Sequence, residues 1–305
     1  MVKPAIIIHG GLRIRKPERI ESDKERYRDL REALITGYET LLKNSSLEAV
    51  LEAVVYMEDS PNFNAGKGSY LNLKGEIEMD AAIMDGRNLK FGAVASVKNC
   101  VNPVKLAKYI MENTKHSLIC GRGAEEIAKR AGLYGEVKPT NKSIEIYNAL
   151  LKKYSETREI HTSIKGTVGA VAVDSKGNIA AATSTGGLCL KLPGRIGDTP
   201  LPGCGTYADN RGGACSGTGI GEAAIRHCTA KTVVDKMRNG LSAMEACDKT
   251  IKELYKLTKL EYGVVSVRKN GDIGYSMIGY QMYMAFYWKG KSRVGSLMKT
   301  GFKTF

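Results

Sequence analysis

The sequence predicts an α+β fold in which packed β layers are covered by helices. Groups of strand-like segments and groups of helix-like segments follow one another along the chain. A parallel α/β sheet would instead alternate single strands with single helices. The chain has 305 residues, of which 43% are hydrophobic, so it can bury a large core. Its longest purely apolar stretches fall far short of the roughly 18 residues that a membrane span needs.

One strand and two helices are expected first. Residues 4–9 form an apolar run that predicts a buried strand, which ends in a His-Gly-Gly turn. Apolar side chains three and four residues apart predict an amphipathic helix over 23–43. Ser45 and Glu48 have the spacing of a capping box, which predicts that a second helix begins there. Pro61 lacks a backbone donor, so this helix has to end before it.

Segments of alternating polarity come next, separated by Lys-Gly and Asp-Gly turns. They predict antiparallel strands at 70–73, 76–84 and 91–97. Asn102 and Pro103 fit the cap and the first position of a helix that runs to about residue 112. A further helix is expected at 124–131.

The stretch 132–166 is polar and charged, with one modest helical segment at 143–154. Its length and weak core pattern predict an exposed linker, which ends at Gly166 and Thr167. Beyond it, strands are predicted at 168–173, 179–183, 263–267, 273–278 and 282–288, and two long helices at 221–238 and 242–257.

Cysteine usage and the amino terminus both indicate a soluble, cytoplasmic protein. The seven cysteines include no C-x-x-C pair and have no histidine neighbours at metal spacing. They are expected to be reduced thiols packed as small apolar residues, with no metal site. Only a short apolar run follows Lys3 and Pro4, which does not resemble a signal peptide.

The net charge of +14 raises the alternative of a nucleic-acid partner, since clustered cations neutralise phosphates. Most of the charge is interspersed with acidic residues along predicted helices. Only the C-terminal stretch is basic without any acid, and it lacks regularly interleaved aromatic residues for base stacking. Its cations are Lys289, Lys291, Arg293, Lys299 and Lys303. A solvated basic tail is the favoured interpretation.

Thr167 is the first residue with distinctive chemistry. A threonine hydroxyl is a weak nucleophile that needs a nearby base, and a threonine at a free amino terminus carries its own in the α-amine. That amine, with a reference pKa of about 7.7–8.0, is available near neutral pH. Cleavage after Gly166 would expose it, and a glycine there tolerates strained dihedrals. Taken alone, Gly166 and Thr167 are weak evidence, and a turn glycine followed by a strand residue is the favoured interpretation.

Three further segments place hydroxyls, one cation, one carboxylate and glycines within about fifty residues of one another. Arg195 can hold a carboxylate with two parallel hydrogen bonds, and Asp198 can pair with an ammonium group, so the two suit an amino-acid substrate. The competing interpretation is a local salt bridge or turn. Backbone donors at Gly219 and Gly221 can stabilise an oxyanion, whereas a plain helix cap by Thr218 is the alternative there.

The ordered segments resemble the plant-type L-asparaginase and isoaspartyl peptidase family of N-terminal-nucleophile hydrolases. The matching segments are 166–171 (GTVGAV), 183–187 (TSTGG), 193–198 (PGRIGD) and 217–222 (GTGIGE), with 9–11 (HGG) and 63–69 (FNAGKGS) before them. The resemblance covers nearly the whole chain, apart from the linker and the C-terminal end.

This resemblance implies a four-layer αββα sandwich in one domain. It implies autocleavage between Gly166 and Thr167 into an α piece, 1–166, and a β piece, 167–305, and a dimer of two such heterodimers. The implied activity is hydrolysis of L-asparagine, of β-aspartyl dipeptides, or of both. The implied substrates are small molecules, with no catalytic cofactor and with neither nucleic-acid nor membrane partners.

The resemblance also assigns roles residue by residue. Thr167 would be the nucleophile, with Thr185 orienting its hydroxyl and amine. Thr218 and Gly219 would polarise the scissile carbonyl.

Other positions would hold the substrate or an ion. Arg195 and Asp198 would bind the substrate's α-carboxylate and α-amine, with a backbone contact from Gly221. Asn64 would lie near the cleavage and oxyanion region. The loop that begins at Glu58 and ends at Ser69 matches one whose backbone carbonyls bind a structural sodium ion.

Two departures from the family pattern concern the pocket. Residues 12–15 (LRIR) replace a small-residue continuation of the first motif, so the loop shape and substrate preference are open. Cys189 and Leu190 replace polar residues, which predicts a less polar pocket edge. A glycosylasparaginase, a taspase-like threonine protease, and a non-catalytic basic protein that binds nucleic acid remain alternatives.

Overall fold

The structure is a computed structural model that describes residues 2–14, 23–157 and 166–305. Arg15 and the part of the linker at 158–165 lie outside the described residues. The helices are α1 (Lys24–Lys43), α2 (Ser46–Asp59), α3 (Pro103–Asn113), α4 (Gly121–Arg130), α5 (Asn141–Thr157), α6 (Gly221–His227), α7 (Thr229–Arg238) and α8 (Ala243–Thr258). The strands are β1 (Ala5–Arg13), β2 (Met79–Asp85), β3 (Lys90–Val97), β4 (Leu118–Cys120), β5 (Val168–Val173), β6 (Ile179–Thr185), β7 (Thr206–Asp209), β8 (Gly213–Gly219), β9 (Tyr262–Arg268), β10 (Ile273–Ile278), β11 (Gln281–Trp288), β12 (Lys291–Met298) and β13 (Gly301–Thr304).

The described strands form two sheets, so the fold is a mixed α/β structure. A nine-stranded sheet has the order β13-β12-β11-β1-β5-β6-β2-β3-β4, and a four-stranded sheet has the order β10-β9-β8-β7. Neighbouring strands are antiparallel except β3 and β4. The strand that begins at Val168 therefore lies between β1 and β6, near the middle of the large sheet.

Alternating side chains of β1 enter two different cores. Ile6 and Ile8 pack on the face of the large sheet that α1 and α2 cover. Ile7 points to the other face and joins Val265 of β9 in the core between the two sheets. On the far side of β9, Val264 packs with α7 and α8. Full burial of such a side chain stabilises the fold by roughly 1.5–3 kcal/mol.

Several predicted boundaries are confirmed. The helix expected over 23–43 is α1, and its Leu30 and Leu34 are buried as the spacing predicts. The side chain of Ser45 accepts a hydrogen bond from the Glu48 backbone at 3.4 Å, at the start of α2. Pro103 is the first residue of α3.

Two predicted elements are wrong. The strand expected at 70–73 is reduced to one isolated bridge, because Asn72 Oδ1 accepts the backbone N–H groups of Lys74 and Glu76 and turns the chain. The long helix expected at 221–238 is broken at Cys228, whose φ of 50° is left-handed and separates α6 from α7.

The predicted basic tail is also wrong, because the C-terminal stretch forms β12 and β13 at one edge of the large sheet. Its side chains at Lys291 and Arg293 are nevertheless exposed. Besides β12 and β13, three described strands were not predicted: β4, β7 and β8. Both β4 and β7 are very short, and β8 (GACSGTG) has too few large apolar residues to show alternation.

The linker is more ordered than the sequence predicts. Its helical segment extends to the seventeen residues of α5. Leu150 on this helix is buried against Tyr70, Cys189 and Leu190 in a small apolar cluster. This packing corrects the expectation of a wholly exposed linker.

All seven cysteines are free thiols. Five are buried, as predicted for small apolar residues, whereas Cys120 and Cys228 are exposed. No helix within the described ranges is long and apolar enough to cross a membrane.

Candidate active site

Thr167 lies directly before the central β5 and is only 8% exposed. Its hydroxyl donates a hydrogen bond to Thr185 Oγ1 on the adjacent β6, at 3.1 Å. Thr185 Oγ1 also accepts the backbone N–H of Gly187 at 2.9 Å. The sheet thus fixes both hydroxyls, and the predicted proximity of Thr167 and Thr185 is what the structure shows.

Gly166 is confined by two other segments of the chain. A Cβ atom at this position would lie 2.9 Å from Asn64 Cβ, and a Cβ at Gly11 would lie 2.5 Å from Gly166 Cα. Asn64 is buried and its amide donates to Gly187 O at 2.7 Å, while its oxygen accepts the Tyr70 backbone N–H at 2.8 Å. The chain is packed so closely around the Gly166–Thr167 bond that only glycine fits at positions 11 and 166.

The His9 side chain contacts the backbone just before β5. Its Nδ1 lies 3.1 Å from the Thr167 carbonyl oxygen, and its Nε2 lies 2.9 Å from Ser216 Oγ. Burial lowers the pKa of His9 to about 3, so the ring is neutral near pH 7 and only one nitrogen carries a proton. A carbonyl only accepts, so Nδ1 is the donor, and Nε2 accepts the Ser216 hydroxyl proton.

Hydrogen bonds between hydroxyl groups extend from Ser216 away from His9, and each hydroxyl donates toward His9. Ser216 donates to His9, so it accepts from Thr183 at 2.7 Å, and Thr183 accepts from Thr206 at 2.7 Å. A Cβ at Gly169 would lie 2.0 Å from Ser216 Oγ, which explains the glycine inside the GTVGAV segment. The sequence presented His9 only as part of a turn motif, and this role was missed.

Arg195 and Asp198 lie in the same pocket as Thr167. The lining residues are Gly166, Thr167, Thr185, Gly187, Leu188, Arg195, Gly197, Asp198, Gly219 and Gly221. Arg195 is paired with Glu222, whose Oε1 lies 2.9 Å from Nε and 2.8 Å from Nη2. The local Arg195–Asp198 salt bridge that the sequence left open is therefore not the observed pairing.

Asp198 is buried, and burial raises the pKa of its carboxyl. The Tyr262 hydroxyl donates to its Oδ2, which opposes that shift. A Cβ at Gly221 would lie 2.6 Å from Asp198 Oδ1 and 3.0 Å from Arg195 Nη2, so only glycine fits beside these two charged groups.

Thr218 does not cap a helix, because it lies within β8 and the N-cap position of α6 is Ile220. Its hydroxyl is buried and has no hydrogen-bond partner among the described residues. Gly219 follows with a φ of 145° and lines the pocket. A buried hydroxyl that is free to bind a substrate oxygen is consistent with the predicted role of Thr218.

Two buried carboxylates that the sequence analysis missed hold the loop that carries Arg195. Glu78 accepts the backbone N–H of Gly194 at 3.0 Å, and Asp80 accepts that of Gly197 at 3.3 Å. Lys191 Nζ donates to the Glu78 carbonyl at 2.7 Å. Their partners lie more than a hundred residues away in the chain, so no local pattern marks them.

Cys189 and Leu190 do not face the pocket. Both are buried in the cluster beneath α5, and Leu188 lines the pocket instead. In the other departing segment, Leu12 is buried and Arg13 pairs with Asp23 at 3.1 Å.

Carbonyl groups lie close to both glycines of the loop from Glu58 to Ser69. A Cβ at Gly66 would lie 2.2 Å from Glu58 O, and a Cβ at Gly68 would lie 2.0 Å from Phe63 O and 2.8 Å from Pro61 O. Hard cations such as sodium are bound by oxygen ligands of this kind. The sodium site that the resemblance implies stays a prediction.

Replacing Gly68 with alanine is expected to destabilise the protein. The added Cβ would collide with two backbone oxygens, so the loop has to shift at a cost of roughly 1–3 kcal/mol, the usual range for overpacking. Urea unfolding should show a lower midpoint with an unchanged slope. Gly123→Ala on α4 is the matched control, since its Cβ would meet only Ile119 at 3.4 Å. Equal midpoints for the two variants would contradict the close approach.

Comparison with known proteins agrees with this geometry. Residues 2–295 match a family model described as "Asparaginase". A Danio rerio protein named "Isoaspartyl peptidase/L-asparaginase" is 42% identical over 297 residues, covering 96% of this chain and 94% of its own. A Pyrococcus furiosus protein named "Plant-type L-asparaginase" is 43% identical over 302 residues, covering 94% and 97%. A Bos taurus "Isoaspartyl peptidase/L-asparaginase" is 39% identical and covers 89% of each chain. The chain therefore belongs to the asparaginase family represented by these proteins.

Proposed function

We propose that this protein is an autoproteolytically activated amidohydrolase that cleaves L-asparagine, β-aspartyl dipeptides, or both. The observation that carries the proposal is the common pocket of Thr167, Arg195 and Asp198. A hydroxyl nucleophile, a cation for an α-carboxylate and an anion for an α-ammonium group line one small cavity, which Gly166 also lines. The names of the relatives point to the same two substrates.

Maturation begins at the bond between Gly166 and Thr167. The Thr167 hydroxyl attacks the Gly166 carbonyl carbon, and the C–N bond breaks as the new ester forms. Water then hydrolyses the ester, which leaves a carboxylate on Gly166 and a free α-amine on Thr167. The close packing of Gly166 and the hydrogen bond that fixes the Thr167 hydroxyl support this step.

Turnover uses the same hydroxyl. The α-amine of Thr167 takes the hydroxyl proton as Oγ1 attacks the substrate's side-chain carbonyl. Thr218 and the backbone of Gly219 stabilise the oxyanion. The proton passes to the leaving amine. This amine departs as ammonia from asparagine, or as the second amino acid from a β-aspartyl dipeptide. Water then hydrolyses the β-aspartyl ester on Thr167 and releases aspartate.

The finer architecture belongs to the same proposal. Helices α1 and α2, the two sheets, and helices α7 and α8 are taken as the four layers of an αββα sandwich, which the three separate cores support. The cleaved pieces, 1–166 and 167–305, form one domain, and two such heterodimers pair. The loop from Glu58 to Ser69 holds sodium, and no cofactor takes part in catalysis. The enzyme acts on small molecules in the cytoplasm, without nucleic-acid or membrane partners.

The proposal is tested on the purified protein by denaturing electrophoresis, intact mass and amino-terminal sequencing. We expect two fragments, the second of which begins Thr167-Val168-Gly169. Hydrolysis of asparagine, of a β-aspartyl dipeptide and of glycosylated asparagine is then compared on the processed material. A chain that stays intact and inactive, or one that prefers glycosylated asparagine, would contradict the proposal. Salt-dependent nucleic-acid binding without amidase activity would favour the non-catalytic alternative.

The pH dependence of kcat should report the α-amine of Thr167. Because the amine acts as a base, kcat should rise with pH through a single step near its reference pKa of about 7.7–8.0. His9 should not contribute a step, since burial lowers its pKa to about 3. His9→Asn should therefore keep the midpoint of the step, whatever its effect on the maximal rate. A step that disappears in this variant would identify His9 as the base instead.

A further inference from the structure

Tyr262 makes a contact in the pocket that no sequence motif indicates. It is the first residue of β9 and is only 1% exposed. Its hydroxyl donates a hydrogen bond to Asp198 Oδ2 from 64 residues away in the chain. Because burial and the neighbouring Asp198 carboxyl raise the pKa of Tyr262 well above its usual value, the phenol remains protonated and acts as the donor.

The neighbouring strand leaves room for the phenol ring. Gly219 of β8 is paired with Tyr262 in the sheet register, and a Cβ at Gly219 would lie 2.7 Å from the ring. A Cβ at Gly217 would lie 2.2 Å from the Tyr262 hydroxyl oxygen. The ring therefore crosses two glycines of β8 to reach Asp198, and both glycines of the Gly-Thr-Gly segment are needed for this approach.

We propose that Tyr262 is a positioning residue that fixes Asp198 for the α-ammonium group of the substrate and so determines selectivity for substrates with a free α-amine. The inference rests on the proposed function of the pocket. The phenol occupies Oδ2, which leaves Oδ1 to receive the ammonium group. That oxygen lies beside Gly221, where a Cβ would be only 2.6 Å away and would occupy the place of a ligand.

The charges around Asp198 explain why the phenol is needed. Burial opposes ionisation of the carboxyl, and Glu222 on α6 adds to this, whereas Arg195 and the Tyr262 hydrogen bond favour the ionised form. The buried Cys204 thiol also faces Asp198. Without the phenol, a buried carboxylate oxygen would lose its partner, and the carboxyl would hold its proton to a higher pH.

The experiment measures competitive inhibition of asparagine hydrolysis by L-aspartate and by succinate, which differ only in the α-amine. In processed Tyr262→Phe, the inhibition constant for aspartate should rise roughly 10- to 100-fold, the range for a hydrogen bond to a charged group. The constant for succinate should change less than about twofold, and kcat should be retained, because the hydroxyl does not touch the reacting atoms. The loss of aspartate selectivity should be greatest at low pH.

Two further variants separate positioning from general damage. Gly217→Ala pushes against the hydroxyl with Tyr262 still present and should produce the same loss of selectivity. Tyr275→Phe on β10, outside the pocket, should change neither constant. Equal effects on aspartate and succinate, or no effect on either, would overturn the role of Tyr262. A processed wild-type enzyme that hydrolyses neither asparagine nor β-aspartyl peptides would instead overturn the proposed function.

Discussion

Replacing Thr167 with alanine is expected to leave the chain uncut and to lower amidase activity by at least about 10⁴-fold, as loss of a nucleophile does in other acyl-transfer enzymes. The reason is that one hydroxyl serves both reactions. Without it, no ester forms at Gly166, so the α-amine that would act as the base is never released. Electrophoresis and ammonia release measure the two consequences separately.

Two controls accompany this variant. Thr167→Ser keeps the hydroxyl and should mature into two fragments. Thr258→Ala, at the C-terminal end of α8, removes a hydroxyl that donates to Leu254 O and accepts the Leu260 backbone N–H, both local contacts. This variant should process and turn over normally. Cleavage at residue 166 in Thr167→Ala, or normal hydrolysis by that variant, would show that another group is the nucleophile.

The second large effect is expected at Arg195. Arg195→Gln should process normally, since the guanidinium is paired with Glu222 rather than with the Gly166–Thr167 peptide. Its KM for asparagine should rise about 30- to 1,000-fold, because removal of one partner of a buried, hydrogen-bonded charge pair costs roughly 2–4 kcal/mol. Steady-state kinetics on fully processed protein measure this change, and kcat should fall far less than kcat/KM.

Arg195→Lys tests the geometry of the contact, since an ammonium group has the charge but lacks the planar fork of a guanidinium. Its KM should lie between those of the wild type and Arg195→Gln. Arg211→Gln is the matched control. Arg211 also binds a carboxylate, that of Asp209, through Nε and Nη2, but it lies outside the pocket. An unchanged KM in Arg195→Gln would remove Arg195 from the substrate site.

Elements with a local cause were predictable from the sequence. Three such signals depend only on neighbouring residues: the side-chain spacing around Leu30, the cap at Ser45 and the proline at position 103. Each of them predicted its helix correctly. Several pocket residues could be named because they lie in short ordered segments, and Thr167, Arg195 and Asp198 do line one pocket. Thr218 and Asn64, which were predicted for the same site, are not among its lining residues.

The rest depends on sheet order, which no local pattern contains. Glu78 reaches Gly194 because their segments meet where β2 lies beside β6. Tyr262 reaches Asp198 across β8, a strand whose glycines hide it from any pattern of alternation. Gly217 and Gly219 leave the space that the Tyr262 side chain of the neighbouring strand occupies.

The order of the large sheet has a consequence for the proposed cleavage. β1 comes from the first of the two proposed pieces and lies between β11 and β5 of the second, while β6 of the second lies beside β2 of the first. Strands of the two pieces therefore share one sheet. Neither piece could leave without breaking hydrogen bonds in the middle of the sheet, so the proposed cut would create a new chain end without creating a separable subunit.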